Sequence, residues 1–362
     1  AHNVFEQGGL HCKKLSVETP FLTNGELEKL RTLDQEDLRA VTIPILFKAN
    51  TGVNGLEQAI NEMVLNAINA VDSGKTLIIL SDRGVDKKNA AIPVLLAASA
   101  LHHTLTKFGR RSRCGIVVES AEAREIHHFA TLFGYGVSAI NPYMAYEVLD
   151  EMIGKGMLTV DHDKAVANYI KAAGTGLVKV MTKIGISTLH SYRGAQIFEI
   201  LGLKKDFVDR YFTHTATRIE GAGLGEVYKD TLKRHQQAFP TEETAGKIEV
   251  NVGGDYQWRR NGERHMFNPH TVSRLQLAVR DNLPQSYEQY AKMINDQSER
   301  LMTIRGLMEF RDQNPIPIEE VEPWTEIVKR FKTGAMSYGS ISAESHENMA
   351  IAMNRIGGKS NS

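Results

Sequence analysis

Short apolar runs that alternate with patches of helical i, i+3, i+4 periodicity predict an α/β protein with a mainly parallel sheet. Two observations sharpen that class. Residues 76–80 (TLIIL) and 114–118 (CGIVV) are apolar throughout, as strands covered on both faces of a parallel sheet are. Polar or glycine-containing turns separate each run from the helix that follows it. The rhythm of repeated β-α units fits a barrel-like or a doubly wound sheet equally.

The first 40 residues are polar and irregular. Residues 41–47 (VTIPILF) predict a short strand. Asn54, with Glu57 three residues on, reads as a helix N-cap. Leu56, Ala59, Ile60, Met63, Val64, Ala67, Ile68 and Val71 then mark one helical face, and Gly74 stops it. After strand 76–80 the pattern predicts helix 92–108, strand 114–118, helix 122–133, strand 137–140 and helix 143–153. A long helix over 163–184, a short strand over 186–188 and a helix starting at 196–201 follow. From 202 to about 247 the chain reads as helical and charged, with one helix over 228–239. Residues 250–270 turn aromatic, polar and glycine-rich, predicting a hairpin or loop and a domain junction near 245. Helices 272–281 and 285–294, a proline-rich linker at 314–323 and a helix over 324–331 come next. A strand and turn over 333–342 and a helix over 343–356 then read as the first βα step of a new α/β domain.

Composition bounds the function. A length of 362 residues suggests two or three domains. Lys plus Arg and Asp plus Glu are both 43, so the formal charge is zero and nucleic acid is not the expected main partner. Arg110, Arg111 and Arg113 read as a solvated turn. Two cysteines, Cys12 and Cys114, exclude a disulfide framework or a four-cysteine metal site, and fit a reducing compartment. No apolar run is long enough for a membrane helix, and the N-terminus shows no signal region. A start without Met and a glycine-rich end at 357–362 predict a piece of a longer polypeptide.

Several motifs carry competing readings. Ser81-Asp82-Arg83-Gly84 follows a buried strand, where parallel sheets hold ligands, or is a solvated turn with Asp82 and Arg83 paired. The pairs His102-His103 and His127-His128 invite a metal, but neighbours on a helix face different ways, so no metal site is expected. Residues 221–226 (GAGLGE) resemble a nucleotide loop, yet no apolar strand precedes them; a flexible turn is the expectation. Ser187, Thr188 and Ser191, beside Tyr192 and Arg193, can line a polar pocket or channel for a small neutral molecule, or cap a helix through Ser191. In residues 334–340 (GAMSYGS) the small side chains leave the backbone free to approach a ligand.

The blocks LSDRGVDKKNAAIPVLLAASALHHTL, IVVESAEAREIHHFATLFGYGVSAINPYMAYEVL, KIGISTLHSYRGAQIFEILGL, GGDYQWRRNGERHMFNPHTV and FKTGAMSYGSISAESHENMAIAMNRIGGKSNS run in order through nearly the whole chain after residue 40. They closely resemble the large subunit of glutamate synthase. The resemblance implies a central domain over 1–240 and the truncated beginning of an FMN-binding (βα)8 barrel over 241–362. An amidotransferase domain, the rest of the FMN domain and a 3Fe-4S cluster would lie elsewhere in the polypeptide. It further implies that glutamine is hydrolysed, that ammonia is channelled to 2-oxoglutarate, and that FMN reduces 2-iminoglutarate to L-glutamate. Electrons would come from ferredoxin or from an NAD(P)H-oxidising small subunit. The implied FMN-side residues are Ala335, Met336, Ser337 and Ser340. The implied ammonia-path residues are Ser187, Thr188, Ser191 and Asn361. No catalytic residue and no metal ligand are expected in these residues, which would act as scaffold and tunnel wall and be inactive alone. Nucleic acid and membrane are not expected partners, and the compartment would be cytoplasm or plastid stroma. The alternative is a stand-alone α/β binding or regulatory module without the synthase reaction.

Overall fold

The computed structural model describes residues 15–35, 37–240, 252–296, 301–308 and 312–362. Cys12 lies outside the described residues. The chain divides into two units, Ala1–Ile248 and Glu249–Ser362.

The first unit opens with α1 (Asn24–Arg31), started by a reciprocal cap. The Thr23 hydroxyl accepts from the Glu26 amide, and the Glu26 carboxylate accepts from the Thr23 amide. A tight hairpin joins β1 (Asp34–Gln35) to β2 (Leu38–Pro44). β3 (Leu46–Lys48) leads into α2 (Gly52–Asp72), β4 (Leu77–Ser81) and β5 (Asn89–Ala91), which pairs antiparallel with β3. Then come α3 (Val94–Lys107), β6 (Gly115–Glu119), α4 (Ile126–Gly134) and β7 (Ala139–Asn141).

The main sheet has the order β1-β2-β4-β6-β7, with β2, β4, β6 and β7 parallel. The order never reverses. Right-handed crossovers that always step the same way put their helices on one face, and the packing shows it. Ile43, Ile78, Leu80, Ile116, Val118 and Ile140 point into one core with Leu56, Ile60, Leu101 and Phe129 from the crossover helices. The alternate residues Ala40, Ile79, Val117 and Ala139 pack on Leu22 and Leu27 at α1. Both faces are therefore covered, which is why these strands read as continuous apolar runs. The sheet is open, wound in one direction and free of the reversal that defines a doubly wound sheet.

The remainder of this unit comprises α5 (Tyr143–Gly154), α6 (His162–Ile184), α7 (Leu189–Tyr192), β8 (Glu199–Leu203), α8 (Lys205–Tyr211), β9 (Ala216–Ala222) and α9 (Leu224–Ala238). Five expectations fail in this unit. Among the described residues, 186–188 pair with no strand, and they lead directly into α7. The helix expected from 196 is the strand β8, which pairs in parallel with β9. The stretch 202–247, expected to be helical, therefore contains a strand, and that strand precedes the glycine loop 221–226. Its sequence, ATRIEGA, is polar and mostly exposed, so it carries no apolar signature. The loop is no flexible turn: Gly223 caps α9, and the Glu226 carboxylate accepts from its amide at 2.8 Å. Asn54, read as a cap, lies inside α2, which starts after Thr51.

The second unit holds α10 (Pro269–Arg280), α11 (Pro284–Asn295), α12 (Trp324–Ile327) and α13 (Ala343–Arg355). Asn268 caps α10 by accepting from the His270 and Thr271 amides, with Pro269 at the first helical position. Of the strand and turn expected over 333–342, the turn stands at 338–340, while among the described residues no strand forms; an isolated parallel bridge joins the adjoining Lys332 to Lys359.

Candidate functional site

Two places concentrate chemistry. The first is the C-terminal edge of the main sheet, where β4 ends at Ser81 and β6 at Glu119. Parallel register sets these two residues side by side. The Glu119 carboxylate is buried and accepts three side-chain hydrogen bonds: Ser81 Oγ at 2.5 Å, Arg83 Nε at 2.6 Å and Arg31 from α1 at 2.9 Å. Burial alone would push this carboxyl up. The hydrogen bonds from Ser81, Arg31 and Arg83 outweigh it and hold the group below the usual carboxylate range. Arg31 also donates to Thr42 and Glu28. The Arg83 guanidinium lies 3.9 Å above the Tyr143 ring.

Asp82 points the other way. It is buried and accepts from Ser120 Oγ and the Ala121 amide, each at 2.8 Å. Burial raises its pKa against the hydrogen bonds that lower it. Ser81-Asp82-Arg83 is thus neither a solvated turn nor an empty ligand loop. It is a wired strand end beside a cleft of about 440 Å³ that Asn24, Arg31, Thr42, Arg83 and Glu119 line.

The second place is the C-terminal βα step. Residues 331–336 run beside 359–361, joined by Lys359 N to Phe331 O and Thr333 N to Lys359 O, both at 3.0 Å. The Met336 amide then donates to the Asn361 carbonyl at 3.2 Å, and the Asn361 amide donates to Thr333 Oγ1 at 3.0 Å. Met336 and Asn361, assigned to different roles by the resemblance, are therefore direct neighbours. Ser337 and Ser340 are also linked: Ser340 N and Oγ donate to the Ser337 carbonyl. Ala335, Ser337, Ser340 and Asn361 are exposed, and Met336 is half-buried. A Cβ placed on Gly334 would meet nothing within 4 Å. This exposed, small-residue edge fits a flat ring approaching the backbone. A three-cysteine cluster does not fit: of two cysteines, Cys114 is buried in the first unit.

The residues Ser187, Thr188 and Ser191 are all exposed. Thr188, not Ser191, caps the short helix α7; its hydroxyl accepts from the Ser191 amide and donates to Ser191 Oγ at 2.9 Å. A cleft of about 900 Å³ is lined by Trp258, His265, Thr271, Arg274 and other residues of the second unit. It shares no residue with the 333–361 segment. Among the described residues no group of three or more His, Cys, Asp or Glu side chains could hold a metal ion, and no helix is long and apolar enough to cross a membrane.

Glu119 and Arg31 were not singled out from sequence. The available signal was an acid closing the apolar run IVVE. Its partner Arg31 is 88 residues away.

Comparison with known proteins bears on both units. The family model described as "Glutamate synthase central domain" matches residues 1–204, and "Conserved region in glutamate synthase" matches 265–362. The glutamate synthase (NADPH) large chain of Bacillus subtilis (strain 168) is 44% identical over 353 residues, covering 97% of this chain and 23% of that one. The glutamate synthase (NADH) of Schizosaccharomyces pombe is 40% identical over 365 residues, covering 99% of this chain and 17% of that one. The chloroplastic ferredoxin-dependent glutamate synthase of Spinacia oleracea is 41% identical over 374 residues, covering 99% and 23%. The chain thus spans less than a quarter of the length of each of these relatives. With the central-domain description alone matching more than half of its residues, the chain belongs to the glutamate synthase family.

Proposed function

We propose that these residues are the central domain, 1–240, and the opening of the FMN-binding synthase domain, 241–362, of an enzyme that makes L-glutamate from L-glutamine and 2-oxoglutarate. The observation that supports this reading is the pairing of Met336 with Asn361, which makes neighbours of a residue read as FMN-side and one read as bordering the ammonia path. When bound, FMN would supply the hydride that reduces 2-iminoglutarate. The role of this chain is to shape the place where that happens. Ala335, Met336, Ser337 and Ser340 present a small-residue backbone edge to the flavin, and Asn361 borders the route of ammonia. Ser187, Thr188 and Ser191 offer hydroxyls along that route. The 3Fe-4S cluster would take its ligands from elsewhere in the polypeptide. Reducing equivalents would arrive from ferredoxin or an NAD(P)H-oxidising subunit, in the cytoplasm or plastid stroma.

The first unit serves as scaffold. The pairing of Glu119 with Arg31 and Arg83 supports a part in shaping the fold rather than in moving protons. The second unit leaves Val279, Ile318, Trp324 and Tyr338 largely exposed, which suits a segment covered by the remainder of a larger domain.

The test is to purify these 362 residues and assay them with 2-oxoglutarate, ammonia and a chemical reductant. We expect a colourless protein that makes no glutamate. A yellow protein that turns over 2-oxoglutarate would overturn the scaffold role.

A further inference from the structure

A cavity of about 160 Å³ that shares no lining residue with the sheet-edge cleft lies among His102, His103, Tyr135, Gln196, His214 and Thr215. The His102 and His103 rings both border it, edge to face, with centroids 5.0 Å apart. Arg111 Nε donates to His102 Nδ1 at 2.9 Å, so the proton of neutral His102 sits on Nε2 and is available as a donor. His103 Nε2 is buried and has no hydrogen-bond partner. The Tyr135 and Thr215 hydroxyls lie 2.8 Å apart on the same wall.

The charge nearby is unbalanced. Arg111, expected in a solvated turn, is half-buried; its other hydrogen bonds go to the carbonyls of Cys114 and Gly136. Arg193 bonds the Ser138 hydroxyl and the His190 ring. Neither guanidinium meets a carboxylate among the described residues. Buried charge is normally paired. Burial, with Arg111, His103 and Arg193 adding to it, holds His102 down to about 3, and burial with His214 holds His103 to about 4. Both rings are therefore neutral near pH 7, and the positive charge beside the cavity belongs to the arginines. Two rim residues, Gln196 and His214, have φ of 53° and 67°. Non-glycine residues in that region store strain, and such strain gathers at ligand clamps.

We propose that this cavity is a binding site for a small monovalent anion of carboxylate size, received by His102 Nε2–H and the wall hydroxyls and balanced by Arg111 across the imidazole. The volume matches a guest of about six heavy atoms or fewer. A cation is disfavoured by the guanidinia.

The probe is acetate, titrated into the 362-residue chain while the histidine side-chain nitrogens are followed by NMR. An equal ionic strength of a bulky sulfonate buffer is the control. We expect a saturable one-to-one response of His102 and His103 at about millimolar concentration, as suits so few atoms, and no response to the sulfonate. His103→Phe, which fills the cavity with carbon, should weaken acetate binding at least about tenfold. Thr215→Val, nearly isosteric, should weaken it several-fold, with folding checked by urea unfolding because the Tyr135 hydroxyl loses its partner. A linear response shared by acetate and sulfonate would overturn the site, as would wild-type affinity in the folded Thr215→Val and His103→Phe proteins.

Discussion

The Met336 amide donates to the Asn361 carbonyl at 3.2 Å, tying the segment before α13 to the segment after it. The bond makes the two segments a single surface, so a change at one is felt at the other. In the whole enzyme, Met336→Pro removes the donor and Met336→Glu puts a charge where the backbone should meet a flat ring. Each should lower glutamate formation by at least about tenfold, the loss expected when a positioning contact of roughly 1.4 kcal/mol disappears. Glutamine hydrolysis, measured separately as ammonia release, should persist. Equal loss of both activities would remove the assignment to the flavin side.

Glu119 is the most heavily partnered acid of the sheet edge, and its partners Arg31 and Arg83 retain some solvent exposure. Glu119→Gln keeps the shape but loses the charge, leaving two guanidinium groups facing a neutral amide. Urea unfolding should show a loss of about 2–3 kcal/mol. Glu151→Gln, which breaks the exposed pair with Lys155 on α5, should leave the midpoint nearly unchanged.

How much of this was legible beforehand depends on where the information sits along the chain. β4 and β6 announced themselves because both of their faces are buried, so each residue carries the signal. β8 and β9 did not. They form an exposed two-stranded pair in which Leu201 and Ile219 face solvent, and EILGL reads equally well as helix. The Thr188 cap was visible as a cluster of hydroxyls, though which hydroxyl caps depends on a backbone angle that composition does not report. The Glu119 network was hidden for a different reason. It joins residues from α1, β4 and β6 whose proximity follows from register and winding, which no local window contains. His102 and His103 show the same limit: helical spacing sets adjacent side chains apart, yet their rings meet in one cavity because Gly136 lets the His102 ring approach.

That approach makes a further prediction. Gly136 has φ of 93°, and a Cβ there would stand 2.1 Å from His102 Nδ1. Ring and backbone would both have to move, and the Arg111 bonds to His102 and the Gly136 carbonyl would go with them. Gly136→Ala should cost about 2–4 kcal/mol in urea unfolding. Gly74→Ala, at a similar φ of 89° but with open space around the added methyl, isolates the backbone part and should cost about 1 kcal/mol. Equal costs for the two would mean that the His102 contact does not constrain the fold.

The same histidines set a pH window. In the unfolded chain each titrates near 6.5; in the fold burial and the neighbouring cations hold His102 at about 3 and His103 at about 4. The folded state therefore binds fewer protons than the unfolded state between these values. Stability is fully present above pH 6.5 and falls as the pH drops toward 4, each histidine contributing a slope of up to roughly 1.4 kcal/mol per pH unit. Glu119 shifts in the same direction, since its depressed carboxyl also loses stabilisation on acidification, but its loss begins only as the pH falls into the ordinary carboxylate range. The two sources can thus be separated by pH. Unfolding free energies measured at intervals from pH 7 to pH 5 should decline in the wild type, and His103→Phe should flatten that decline by about one proton's worth of slope. An unchanged slope in the folded variant would show that His103 is not held neutral by its burial.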